Sequence, residues 1–106
     1  MTLREVCEMT GVSRRAIQGY ERAGLVAAVA KNERGYLLYD QKARERIQQV
    51  KFFQEMGFSI KEIKEILDAP RQVLKSAIEQ RIEVLWSEVE QKKKIIDEAQ
   101  ELLRRL

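Results

Sequence analysis

Arg14, Arg15 and Gln18 place two guanidinium groups and one carboxamide within a single short stretch. On a helix these positions face outward together. The cations suit phosphate oxygens and the amide suits the edge of a base, so the chemistry offered is recognition rather than bond-making. The elements that must hold these groups lie on either side, in LREVCEMTGVSRRAIQGYE, residues 3–21. Leu3, Val6 and Cys7 share one face of a first helix, and Gly11 breaks it. Ser13 caps a second helix whose inward face is Ile17 and Tyr20. This is the spacing of a helix-turn-helix, in which a short rigid second helix is free to enter a DNA major groove.

Beyond the second helix, Gly24 is expected to occupy the C′ position, and Leu25 and Val26 to return the chain to the core. The period then changes. Ala28 to Ala30 and Tyr36 to Tyr39 read as two short strands joined by KNERG, a hairpin that makes a wing beside the second helix. Lys31 and Arg34 put charge at its tip, Gly35 permits a positive φ or a close approach, and Tyr36 offers a hydroxyl to a phosphate. Tyr39 is expected to pack the hairpin on the helices.

Asp40 caps a third helix with Ala43, Ile47, Val50, Phe52 and Phe53 as core, ending at Gly57. Ser59 and Glu62 form a capping-box pattern that opens a fourth helix with Ile60, Ile63, Ile66 and Leu67 inward. Lys51, Gln54 and Lys61 lie near the Gly57 turn, a second place where a phosphate could be met. Pro70 ends the fourth helix and fits the first turn of a fifth.

From Lys75 to Leu106 no glycine or proline intervenes. Ile78, Ile82, Leu85, Val89, Ile96, Ala99, Leu103 and Leu106 recur at alternating spacings of three and four, broken once by Lys92. A helix of about 32 residues is about 48 Å long. A head domain of this size cannot cover such a stripe, so a second copy is expected to, as a dimerising coiled coil. Trp86, Ile95 and Leu102 widen the stripe beyond a strict two-position seam. The expected division is therefore a winged helix-turn-helix domain over 1–69 and a dimerisation helix over 70–106.

Composition narrows the function classes. Residues 1–56 hold ten Lys/Arg against seven Asp/Glu, and residues 57–106 hold ten against ten, so the excess positive charge sits with the helix-turn-helix and favours a polyanion there. With no histidine, imidazole metal sites, Ser-His-Asp triads and Cys-His dyads are impossible within these residues. One cysteine excludes an internal disulfide, and Cys7 reads as an apolar filler of the first helix. No metal or cofactor is expected. No Gly-rich phosphate loop is present and none of the carboxylates forms a recognisable pair, so an enzyme is not expected either. No apolar run approaches a membrane span, and the start lacks a signal-peptide core, so the expected location is cytoplasmic.

Four motifs in order resemble the MerR family of transcription regulators: Leu3-x-x-Val6-Cys7 with Thr10-Gly11-Val12-Ser13; Tyr20-Glu21-x-x-Gly24-Leu25; Asn32-x-x-Gly35-Tyr36-x-x-Tyr39; and Met56-Gly57-Phe58-Ser59-Ile60-x-Glu62-Ile63. The resemblance implies a mainly α fold, with a winged helix-turn-helix head and a homodimer joined by an antiparallel coiled coil. It also implies double-stranded DNA as partner, at a pseudo-palindromic operator in the bacterial nucleoid. In such regulators the dimer bends and untwists an over-long promoter spacer so that RNA polymerase engages both promoter elements, which is indirect readout. The expected DNA-contacting set is Arg14, Arg15, Gln18, Tyr20, Lys31, Arg34, Gly35, Tyr36 and Gln54. The alternative is a DNA-organising or adaptor role on the same fold. Gln18 and Gly19 stand where the family usually has a basic residue and an aromatic. Leu37 replaces a usual arginine, and Ala27 and Ala28 replace a common proline.

Overall fold

A computed structural model describes residues 1–106. Local chemistry sets the helix boundaries. The helix α1 (Leu3–Thr10) opens on a capping box: Thr2 Oγ1 accepts from Glu5 N, and the Glu5 carboxylate accepts from Thr2 N. Gly11, at φ +70°, ends it. The helix α2 (Arg14–Arg22) begins at Ser13, whose Oγ accepts from Ala16 N at 3.1 Å. It closes through Gly24, which takes the C′ position at φ +78° while Leu25 N donates to Tyr20 O and Gly24 N donates to Glu21 O.

The helix α3 (Gln41–Met56) is capped by Asp40, and α4 (Ile60–Ile66) by the Ser59–Glu62 box. Gly57 closes α3 in the manner of Gly24, with Phe58 N donating to Phe53 O. Between α2 and α3 lie β1 (Ala30–Lys31) and β2 (Leu37–Leu38), antiparallel, with Ala30 opposite Leu38 and Lys31 opposite Leu37. Both strands are shorter than expected, and β1 starts later. The Asn32 side chain bounds the hairpin loop between them: its Oδ1 accepts from Arg34 N and Tyr36 N, drawing the chain into a turn just after β1.

The chain divides into two units, Met1–Ala69 and Pro70–Leu106. In the first, α3 is the hub, packed against α1, α2 and α4. Val6, Ile17, Ile47, Val50 and Ile63, drawn from all four helices, are fully buried. Burial of such side chains contributes roughly 1.5–3 kcal/mol each. Arg46 ties the return segments together, donating from Nε to Leu25 O at 3.1 Å and pairing with Asp68.

Phe52 does not join this core. It is 59% exposed, because at 100° per residue it lies about half a turn from Ala43 and Val50, whereas Phe53 faces inward and meets Phe58. In α4 only Ile63 is buried, with Ile60, Ile66 and Leu67 half-buried at the edge of a helix of two turns. Cys7 and Leu3 are half-buried likewise.

In the second unit, α5 (Arg71–Arg105) is one helix of 35 residues, about 52 Å long. It starts one residue beyond Pro70, which sits as N-cap, accepting from Val73 N and Leu74 N, rather than inside the first turn. No residue of α5 is buried. Ile78 and Leu85 are half-exposed, and Ile82, Val89, Ile96, Ala99, Leu103 and Leu106 are exposed. No helix is long and apolar enough to cross a membrane.

Candidate nucleic-acid interface

Two buried side chains seat α2: Ile17 and Tyr20 point into the head, which turns Arg14, Arg15 and Gln18 to solvent. None of these three makes an ion pair or side-chain hydrogen bond within the chain. The wing stands on the same unit. Lys31, Arg34, Gly35 and Tyr36 are all exposed, with Tyr36 59% accessible. Glu33 adds one negative charge to the tip. Gly35 holds φ +81°, and the Asn32 bonds described above, together with Gly35 N donating to Asn32 O at 2.9 Å, fix the loop from inside. The hairpin therefore presents its cations and the Tyr36 hydroxyl from a backbone already closed on itself.

Tyr20 departs from the expected set. It is only 3% exposed, and its hydroxyl donates to Gln54 Oε1 at 2.6 Å. Since the same ring forms the inward face of α2, Tyr20 cannot also be an exposed contact. It instead holds the exposed Gln54 in place from below. Burial raises the Tyr20 hydroxyl's pKa, which keeps it a donor. Lys51 is also committed elsewhere, with Nζ donating to Thr10 O at the C-terminal end of α1.

Tyr39 anchors the wing's far end. It is buried, its hydroxyl donates to Glu21, and burial followed by the Glu21 interaction raises its pKa. The N-terminal residues are bound to the same place. The Met1 ammonium donates to Tyr39 O at 3.0 Å, Tyr39 N donates to Met1 O, and Thr2 bridges Leu38. The sequence pattern contained some of what orders the site, since Thr2-x-x-Glu5 and Asn32-x-x-Gly35 are local signals. It did not contain the pinning of Met1 and Thr2 to the wing.

Gly19 lies mid-helix without a positive φ. A Cβ there would meet only the end of the Arg22 side chain, at 3.9 Å. Nothing in the fold requires glycine at this position. Gly19→Ala should therefore stabilise the chain by about 1 kcal/mol, the helix-propensity difference, seen as a raised urea midpoint at unchanged m-value. A lowered midpoint would reveal a packing constraint absent from this structure.

A two-helix reader with an adjacent hairpin, all on one small core, defines the winged helix-turn-helix class. Residues 1–70 match the MerR HTH family regulatory protein family, and the chain belongs to it. It is 38% identical over 96 residues to the HTH-type transcriptional activator mta of Bacillus subtilis, covering 91% of this chain and 36% of that protein. It is 36% identical over 63 residues to a mercuric resistance operon regulatory protein of Bacillus cereus, covering 59% of this chain and 48% of that one. The chain thus spans only about a third to a half of these relatives. Among solved structures, the N-terminal part of the Bacillus subtilis multidrug transporter activator, MtaN, superposes with TM-score 0.75 at 34% identity, covering 97% of both chains. HiNmlR, a MerR family regulator lacking the sensor domain and bound to promoter DNA, has the same fold, with TM-score 0.73 at 19% identity over 96% of this chain and 86% of that one.

Proposed function

We propose that this chain binds double-stranded DNA as a homodimer and regulates transcription, each head setting α2 in a major groove and its wing against the flanking backbone. The observation that carries the reading is the exposed, unpaired set of Arg14, Arg15 and Gln18 beside the wing cations, in a chain of the MerR HTH family. The likeness to a transcriptional activator supports regulation as the outcome. Arg14, Arg15, Lys31, Arg34 and Tyr36 serve as backbone contacts, and Gln18 reads a base, adenine by its bidentate geometry. Gln54 extends the surface from α3.

The second copy is the occupant of the α5 stripe. An apolar face of about 52 Å with no buried residue exceeds what a soluble monomer exposes, and its spacing of three and four is that of a seam between helices. Antiparallel pairing would put the two heads at opposite ends of the rod, set to meet half-sites of a pseudo-palindrome. Bending and untwisting of a promoter spacer, with RNA polymerase as the responding partner, is the mechanism this arrangement suits.

The test is equilibrium binding of two variants to a duplex selected by the wild-type chain and to random duplex. Arg15→Ala should weaken both, with a shallower salt dependence. Gln18→Ala should cost about 1–3 kcal/mol on the selected duplex and little on random DNA. Equal binding of selected and random DNA by the wild type would instead favour an organising role. Unchanged binding by both variants would remove α2 as the reading element.

A further inference from the structure

A cleft of about 500 Å³ opens where three segments of the head converge: the start of α1, the start of α2 and the tip of the wing. Arg4, Arg14, Thr2, Gly35 and Tyr36 are among its walls, and no acidic residue lines it. Its two guanidiniums are available. Arg14 makes no ion pair, and Arg4 has only an exposed pairing with Glu8 at 3.4 Å, of the kind that holds a side chain weakly. The walls are fixed relative to one another. Thr2 bridges Leu38, the Met1 ammonium is bound to Tyr39 O, and the capping box with Glu5 holds the first turn of α1. Arg4 is thereby held opposite a wing more than thirty residues later in the chain.

We propose that this cleft seats one phosphodiester of the duplex backbone, clamped between Arg4 on α1 and Arg14 on α2, with the Tyr36 hydroxyl as third donor. This rests on the DNA-binding reading above and adds to it a contact from α1, which neither the recognition helix nor the wing supplies. Two arginines lining one cleft from separate elements supply donors for a tetrahedral anion, and Leu3 and Leu37 in the same wall suit the adjoining sugar. A phosphate held from both helices and the wing would fix the angle at which α2 enters the groove, so Arg4 acts as a positioning contact without sequence preference.

The test measures binding of the full chain to duplex DNA between roughly 50 and 200 mM salt, for the wild type, Arg4→Ala, Arg4→Lys and Arg14→Ala. Arg4→Ala should lower the slope of log affinity against log salt by about 0.9 per subunit, equally on selected and random duplex, and Arg4→Lys should restore it. Ethylation of that single backbone phosphate should then weaken the wild type more than Arg4→Ala, which keeps only the Arg14 and Tyr36 donors to it. A wild-type slope retained by Arg4→Ala, while Arg14→Ala loses its contact, would overturn the cleft and spare the DNA-binding reading. Failure of the wild type to bind any duplex would overturn both. Arg4 is exposed, so the melting temperature of Arg4→Ala should stay unchanged, confirming that the heads compared are equally folded.

Discussion

Val89→Asp should turn the chain into a monomer at micromolar concentration and lower its affinity for duplex DNA by a factor on the order of 10² to 10⁴. Val89 lies near the middle of α5, on the stripe shared with Leu85 and Ile96, and is 40% exposed. A carboxylate there must be desolvated in any seam that uses the stripe, which costs several kcal/mol unless the seam opens. The loss at DNA follows from linkage. With two heads joined, the second binds at a high effective concentration, and separating them removes that gain without touching a single DNA contact. The head should remain folded, because the Met1–Ala69 unit contains the buried side chains of the core. Sedimentation equilibrium should give 12.4 kDa rather than twice that value, alongside a nearly unchanged head signal in near-UV circular dichroism. A variant that stayed dimeric would place the pairing surface elsewhere.

Ile47→Ala should have the largest effect on stability, a loss of about 2–5 kcal/mol. Ile47 is fully buried on α3, the helix that meets α1, α2 and α4, so the cavity would open where α2 is seated. For a domain of this size, each kcal/mol corresponds to about 4–8 °C in the melting midpoint. Phe52→Ala supplies the contrast: an exposed aromatic five residues further along the same helix should cost the head within about 0.5 kcal/mol. Both are best measured in the Val89→Asp background, where self-association does not enter. Equal losses for the two would mean that the core does not lie where the fold puts it.

That pair of residues also marks the limit of what sequence reveals here. Ser13, Asp40, Ser59, Gly24 and Gly57 are legible because a cap or a left-handed C′ residue is decided within one turn of helix, and each occupies its expected place. Ile17, Ile47 and Val50 follow from spacing. Phe52 is legible by the same spacing, since it lies half a turn from Ala43 and Val50, but hydropathy alone, equal for Phe52 and Phe53, puts both in the core. Tyr20 is ambiguous for a related reason, since tyrosine is equally suited to core and phosphate, and its hydroxyl reaches Gln54 only through tertiary packing.

The exposed placement of Arg14, Arg15, Gln18 and the wing cations is legible because they sit on short local elements. The surroundings of Arg4 are not. Its place beside Arg14 and Tyr36 depends on Met1 and Thr2 adding to the edge of β2, a pairing across more than thirty residues that no local pattern encodes. The Arg46 tie to Leu25 O and Asp68 is hidden in the same way.

The most direct measurement is a hydroxyl-radical footprint of the full chain on duplexes it has itself selected from a random pool. An inverted repeat should be enriched, with two protected patches on one face of the duplex about one helical turn or a small multiple apart, each centred where an α2 would enter the major groove. A single patch, or protection spread evenly along DNA with no enriched sequence, would contradict specific binding by a dimer.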